Sequence, residues 1–410
     1  MMVIVLADRV KNLGGENAFL VAAEARKLTD AGRIVYPFHL GDFGCSEPEN
    51  IQNACDLAHK EGKTGYCNKS GIEPLKEAVA EYSGKRRNLT ITPDMVSITA
   101  GGKPVIAFTL LALMNPGDRV CYPNPGYPIY ESWINYLGGV PVPYSYKETS
   151  DGFKIDLEQL VDSIDREKPK VVVINNYQNP TASVLSPEEM QAIADICIMN
   201  NAFVLSDEAY EEIRYDNTPF RSIASLPGMQ ERTMILFSFS KTWAMTGERV
   251  GAGIGPKPEG PQSVIGHLNE LNVNVYSCVN QSAQWAALEA ITGNQDGARN
   301  ILARLKASRD ATYGALSNLR DVGVVVHLPP STFYQWADVT EPMRRMGIAD
   351  YDAFWKKVLS DTGVAFCPRS HFGKPLPGEE RKYARFSFSG ITPEDSVKGI
   401  EKLGEYLRRF

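Results

Sequence analysis

The sequence is short of several features that would settle a function at once. It has no excess of basic residues: 43 lysines and arginines face 49 aspartates and glutamates, a net charge of −6. That balance argues against nucleic acid as the main partner. No apolar run is long enough to cross a bilayer, so no membrane partner is expected. The opening MMVIVLADRV has no basic flank before it and no small-residue cleavage site behind it, and reads as an ordered N-terminus, not a signal peptide. Seven cysteines (Cys45, Cys55, Cys67, Cys121, Cys197, Cys278 and Cys367) are odd in number and form no C-x-x-C pair. They suit reduced, mostly buried thiols in a cytosolic protein, not a disulfide framework. Five scattered histidines, without H-E-x-x-H, argue against a zinc site. There is no internal repeat and no low-complexity linker.

What the chain does have is alternation. The apolar, β-branched runs MVSIT, RVCY, KVVVIN, AFVLSD and TMILFSFS are separated by helical patterns. Residues 186–200 show the signs of a helix: Ser then Pro at the start, Glu in the first turn, and apolar residues at helical spacing. Continuous apolar strands between helices predict a mostly parallel sheet covered on both faces. Residues 46–289 therefore read as a large, doubly wound α/β domain. Beyond residue 290, a long amphipathic helix and the runs VGVVVHL, TFYQWADV and YARFSFSG predict a smaller α+β domain over 290–410. Residues 1–45 form an N-terminal arm that contributes to it.

Lys241 follows a strand that ends at Ser238-Phe239-Ser240, and in open α/β sheets ligands sit at such carboxyl ends. In partly apolar surroundings a lysine loses its proton more readily and can act as an amine nucleophile. A solvated surface lysine is the plain alternative. Ser238 and Ser240 offer hydroxyls and Arg249 a forked cation, a set that can hold a phosphate. Ser-Lys-Thr lacks the glycines of a P-loop, and Gly251-Ala252-Gly253-Ile254-Gly255 has the wrong spacing for G-x-G-x-x-G. Other segments supply what pyridoxal phosphate needs. Asp207 closes a buried strand, where a carboxylate can keep a pyridine nitrogen protonated. Gly101-Gly102-Lys103-Pro104 joins a strand to a helix and can cradle a phosphate at the helix N-terminus. Tyr127 can stack on an aromatic ring, and Asn179 and Tyr210 can donate to a phenolate oxygen. Each has a bland alternative: a turn aspartate, a ligand-free turn, packed tyrosines, an Asn-Pro turn. What sets them apart is that all fall at strand ends of one chain.

The stretch SFSKTWAMTGERVG resembles the lysine signature of the class I/II aminotransferases, fold type I pyridoxal-phosphate enzymes similar to aspartate aminotransferase. The resemblance runs over nearly the whole chain, from LGDFGCSEPEN through TGYCNKSGIEPLKEAVAEY, ITAGGKPVIAFTLLALMNPGD, NPGYPIY, QNPTAS and SDEAYEEIRYD to YARFSFSG. It implies pyridoxal 5'-phosphate held as a Schiff base by Lys241. Asp207 would face the pyridine nitrogen, Asn179 and Tyr210 the ring hydroxyl, and Tyr127 the ring. Ser238, Ser240, Arg249 and the turn at Gly101, Gly102 and Lys103 would bind the phosphate. It further implies that Arg385 clamps the substrate α-carboxylate and that the Gly41 backbone approaches the substrate. Tyr66 would reach the phosphate of a neighbouring subunit, making a homodimer the active unit. The implied reaction moves an amino group from an L-amino acid to a 2-oxo acid, with Lys241 shuttling the proton. Elimination, replacement, oxidative or cyclising chemistry on the same scaffold is the alternative.

The chain departs from the family pattern near the substrate side. Ala182 replaces the glycine of Asn-Pro-Thr-Gly, which implies a different local backbone, since a positive φ resists alanine. FHLGDFGCSEP and NNYQNP are also unusual. The substrate side chain is left open by these motifs. Glu16 and Asn17, in GGENAF, fall near it, where Glu16 suits a cationic or polar substrate unless the segment is a solvated loop. His371 and Lys374 lie on a loop before Arg385 with no role assigned.

Overall fold

All five apolar runs named above become strands of one seven-stranded sheet, joined by two strands that the sequence hides. The computed structural model describes residues 4–216, 218–258 and 263–410. Met1, Met2 and Val3, the start of the run read as an ordered N-terminus, lie outside the described residues. The strands are β1 (Val96–Thr99), β2 (Arg119–Pro123), β3 (Val140–Tyr144), β4 (Val171–Asn175), β5 (Phe203–Asp207), β6 (Thr233–Ser238) and β7 (Gly251–Ile254). Their order is β1-β7-β6-β5-β4-β2-β3. Only β7 runs antiparallel to its neighbours, β1 and β6; the other pairings are parallel. Every residue of β4 and β6 is buried, as expected of a sheet covered on both faces.

The helices start where the sequence says. The helix Pro187–Met199 opens with a capping box: Ser186 Oγ accepts from the Glu189 N–H at 3.1 Å, and Glu189 Oε2 accepts from the Ser186 N–H at 2.7 Å. Register does the rest of the positioning. Asn175 on β4 pairs with Asp207 on β5, and Asp207 with Leu236 on β6. The carboxyl ends of three central strands therefore present Asn175, Asp207 and Ser238 side by side.

The smaller unit begins with the helix Asp296–Ser317. Its sheet contains β8 (Val325–Val326), β9 (Tyr334–Asp338), β10 (Cys367–Pro368) and β11 (Tyr383–Ser387), in the order β8-β9-β11-β10, all antiparallel. The N-terminal helix Ala18–Asp30 buries Val21 and Ala25 in the same core as Phe354, Val358 and Ile400. Tyr36–Pro37 pairs in parallel with Val364–Ala365. Both ends of the chain thus share one core. All seven cysteines are free, but only Cys121, Cys197 and Cys367 are buried, so the expectation of mostly buried thiols is corrected: four are partly exposed. Among the described residues no helix is long and apolar enough to cross a membrane.

Candidate active site

A cavity of about 470 Å³ lies at the carboxyl ends of β4, β5 and β6, between the large sheet, the small sheet and the N-terminal segment. Lys103, Tyr127, Asn179, Asp207, Tyr210, Ser238, Ser240, Lys241, Arg249, Arg385, Gly41 and Gly102 all line it. Gly101 backs the wall. Tyr66 stands apart from the cavity of its own chain, with 88% of its surface exposed.

Lys241 sits in the short helix that follows β6, and its Nζ donates to the Gly41 carbonyl at 2.8 Å. Burial pushes its pKa down to about 8, and Arg385 and Arg249 push the same way, against the carboxylates of Asp42 and Glu16. Asp207 is buried at the end of β5. Tyr130 Oη donates to its Oδ2 at 2.5 Å and the Ala209 N–H to its Oδ1 at 3.2 Å. Burial raises its carboxyl to about 6, with the Tyr130 and Ala209 hydrogen bonds opposing.

One end of the cavity can cradle an anion. Gly101 has φ +83°, and a Cβ there would lie 2.4 Å from Arg249 Nη2. A Cβ on Gly102 would meet Leu236 Cδ2 at 2.9 Å. The bare turn lets the start of the helix Lys103–Leu113 approach the cavity with unpaired N–H groups and a positive dipole end. Ser238 Oγ accepts from the Ser240 N–H at 3.2 Å, which fixes the Ser238 hydroxyl beside the turn.

The other end holds Arg385, on β11 and only 4% exposed. Its Nη1 donates to Asn179 Oδ1 and its Nη2 to the His39 carbonyl, both at 2.9 Å. Its guanidinium lies 4.2 Å from the Tyr334 ring centroid. The buried Nε has no partner, and among the described residues no carboxylate pairs with Arg385. A buried guanidinium in this state has an N–H free to pair with a carboxylate from outside the chain. Because Asn179 Oδ1 serves Arg385, its NH₂ is the end left to donate into the cavity. Tyr210 Oη and Tyr334 Oη are 2.8 Å apart.

The remaining sequence candidates are also placed. Glu16 and Asn17 line the cavity. Glu16 is no solvated loop residue: Lys103 Nζ is 2.8 Å from its Oε1, and Tyr127 Oη donates to the same oxygen. His371 lines the wall, held near 4 mainly by burial and so neutral at pH 7. Lys374 is exposed and contributes its carbonyl to Asn124 Nδ2. Ala182 is a correction. It adopts φ +59° in place of glycine, and the turn is held by Ala182 N–H donating to the Gln178 carbonyl at 2.8 Å.

Sequence reading misses Tyr130, Asn175, Tyr334 and Asp42. Tyr130 stands three residues beyond Tyr127, in the first turn of the helix Ile129–Tyr136, and a second tyrosine so close by is a readable signal. Asn175 ends β4; its Oδ1 accepts from the Asn179 N–H at 3.0 Å and its Nδ2 donates to the Asp207 carbonyl at 3.0 Å. Tyr334 has no such local mark.

Pyridoxal 5'-phosphate fits this residue set: an amine, a buried carboxylate, an anion cradle and aromatic walls. The family "Aminotransferase class I and II" matches residues 41–403. The chain is 32% identical to a probable aspartate/prephenate aminotransferase of Aquifex aeolicus, covering 99% of both chains. It is 30% identical to an aspartate aminotransferase of Musicola paradisiaca, covering 99% of this chain and 97% of that one. The solved alanine aminotransferase of Pyrococcus furiosus superposes with a TM-score of 0.88 at 25% identity, over 99% of this chain and 100% of that one. The chain therefore belongs to the class I and II aminotransferases, pyridoxal 5'-phosphate-dependent transferases of fold type I.

Proposed function

We propose that the protein transfers the amino group of an L-amino acid to a 2-oxo acid, with Lys241 as its central residue. One observation carries this reading: the Lys241 amine and the unpartnered Nε of Arg385 belong to side chains that line one cavity. Bound pyridoxal 5'-phosphate supplies an electron sink for the charge left when a Cα–H bond breaks. Ser238, Ser240, Arg249 and the turn at Gly101, Gly102 and Lys103 would hold its phosphate, the turn through the N–H groups of Gly102 and Lys103, since that of Gly101 is donated to the Thr99 carbonyl at 2.8 Å. Asp207 keeps its ring nitrogen protonated. Asn179 and Tyr210 would donate to its ring hydroxyl, and Tyr127 would pack against the ring.

Lys241 holds the cofactor on Nζ. The free Lys241 amine would take the Cα proton of the substrate and deliver it again. Proton transfer of this kind typically contributes about 10²–10⁴ in rate. Arg385 forks the α-carboxylate and so fixes which Cα bond faces Lys241. Gly41 has no Cβ because one would lie 2.3 Å from Tyr334 Oη, and its bare backbone lets the substrate close in. The exposed Tyr66 belongs to the same reading, as the residue that reaches a second copy's phosphate in a homodimer. Residues 46–289 serve as the cofactor-holding domain, with 1–45 and 290–410 closing over it.

The test is borohydride reduction of the holoenzyme followed by peptide mapping, paired with donor and oxo-acid assays read by mass spectrometry. The expected result is a cofactor label at position 241, absent in Lys241→Ala, and amino transfer to an oxo acid. A label elsewhere, or ammonia release without transfer to any oxo acid, overturns the reading.

A further inference from the structure

The cavity's charges do not balance for an acidic amino acid. Its basic side chains are Lys103, Lys241, Arg249, Arg385 and His371. In the aminotransfer reading, on which this inference rests, Lys241 and Arg249 serve the cofactor and Arg385 the α-carboxylate. His371 is neutral. Only Lys103 is left to receive a second, distal carboxylate, as aspartate or glutamate would require.

Lys103 is already occupied. Its Nζ lies 2.8 Å from Glu16 Oε1, and the Tyr127 hydroxyl donates to the same oxygen. The pair sits at the cavity mouth, with the Lys103 side chain 46% and the Glu16 side chain 18% exposed, and the carboxylate is fixed from a second direction by Tyr127. Burial pushes the Glu16 carboxyl upward, but the hydrogen bonds from Lys103 and Tyr127 outweigh it, so the group stays ionised at neutral pH. A second carboxylate, Asp42, stands on the wall and accepts from Thr246 Oγ1 at 2.6 Å. Outside the groups already assigned, the cavity holds two carboxylates and one ammonium. A distal carboxylate entering this space would meet net negative charge and would have to break the Lys103 pair.

We infer that Glu16 is a specificity-determining residue, which ties up Lys103 and selects an amino acid whose side chain brings N–H or O–H donors over one that brings a carboxylate. The Glu16 carboxylate has Oε2 left to accept such a donor. Relatives named for aspartate do not carry that preference over to this chain, because the charge that would receive aspartate is cancelled within the chain itself.

The test uses the holoenzyme and two unreactive acids, maleate as the dicarboxylate and 4-methylpentanoate as the monocarboxylate, titrated while cofactor absorbance is followed. In Glu16→Gln, Lys103 is released, and the ratio of the maleate to the 4-methylpentanoate Kd falls by about tenfold or more, the size of one charge-assisted contact. Glu16→Ala carries the same expectation and guards against a local defect in either variant. In Glu16→Gln combined with Lys103→Met, the gain disappears. A smaller fall in both single variants, or a gain that survives the loss of Lys103, overturns the inference. Binding needs no turnover. An enzyme that binds both acids but transfers no amino group to any oxo acid therefore defeats the aminotransfer reading, while the Kd ratio still decides the role of Glu16.

Discussion

Tyr130 donates its hydroxyl to Asp207 at 2.5 Å, and neither the tyrosine ring nor the carboxylate reaches solvent appreciably. The bond favours the ionised carboxylate, against the burial that lifts Asp207 to about 6. Tyr130→Phe removes it and drives the carboxyl higher. At neutral pH a larger share of Asp207 is then protonated and cannot pair with a ring N–H. Cofactor affinity should fall about tenfold at pH 7, in line with the loss of one charged hydrogen bond. The deficit should narrow as pH rises. Titrating apoenzyme with pyridoxal 5'-phosphate across pH checks this, and a pH-independent deficit would point to packing instead.

Lys241 supplies a second pH dependence. Burial, the largest cause, lowers its ammonium to about 8, against an ordinary lysine at 10.5. Only the unprotonated amine attacks an aldehyde. The rate of cofactor capture by apoenzyme should therefore climb through about pH 8 and level off above it. Asp42 and Glu16 both favour the ammonium, so Asp42→Asn should move the midpoint lower. Stopped-flow absorbance of apoenzyme mixed with pyridoxal 5'-phosphate gives the profile.

That the proposed cofactor residues line one cavity is legible in the sequence because most stand at the carboxyl end of a strand, and strand order brings such ends together; Arg249 instead precedes β7, whose antiparallel direction puts its start at the same edge. What stays hidden has physical causes. β7 reads GAGI, too glycine-rich to look like a strand, yet a Cβ on Gly251 would strike the Gly101 backbone at 2.7 Å and one on Gly253 would strike Leu268 at 2.8 Å. Close packing against the anion cradle, not strand propensity, chose those residues. β3 is hidden by Pro141 and Pro143, which an edge strand tolerates. Tyr334 meets Tyr210 across 124 residues, and no local pattern announces such a contact.

Ala182 offers a test of local strain. Its φ of +59° is costly for an L-residue with a Cβ, by roughly 1–2 kcal/mol. Glycine removes that cost but adds unfolded-state entropy worth about 0.4–1 kcal/mol. Ala182→Gly should leave the protein slightly more stable, by roughly 0.5 kcal/mol from the difference of these terms. The turn is fixed independently by Gln178, whose Oε1 accepts from the Thr181 N–H at 2.8 Å and Oγ1 at 2.7 Å. The substitution should therefore not alter cofactor binding. Thermal midpoints and cofactor titration of the two proteins decide it.

Arg385→Lys tests whether the fork matters or only the charge. An ammonium cannot keep the bonds to Asn179 and His39 and still meet both oxygens of a carboxylate. Losing one charged hydrogen bond of about 1.5–3 kcal/mol should lower kcat/KM by roughly 10–100-fold. Most of the loss should appear in KM if the arginine chiefly binds, and in kcat if it chiefly orients the Cα–H bond. The split is read from steady-state kinetics, with absorbance confirming that cofactor loading is unchanged.

Behind Asp207, Arg87 holds Glu208 and Glu211 in a fully buried cluster, with Arg87 Nη2 at 2.5 Å from Glu208 Oε2. The cluster ties the helix Glu73–Arg87 to the segment carrying Asp207 and Tyr210. Burial, the dominant cause, raises Glu211 to about 7; Glu208 adds to the rise and Arg87 opposes it. A raised carboxyl means that the folded chain binds a proton that the unfolded chain, with an ordinary carboxyl near 4.5, has released. Its stabilising share is thus complete below about pH 4.5 and is lost as pH rises through about 7. Glu211→Gln should flatten the stability profile across that window, read as urea midpoints at several pH values. Arg87→Met should do the opposite. It leaves two carboxylates buried without their cation, a defect of about 3–5 kcal/mol that should deepen as pH rises and Glu211 ionises. Because Asp207 adjoins Glu208 in the chain, that variant should also lose cofactor affinity, whereas Glu211→Gln should keep it. A stability profile that is parallel in wild type and Glu211→Gln would remove Glu211 as the titrating group.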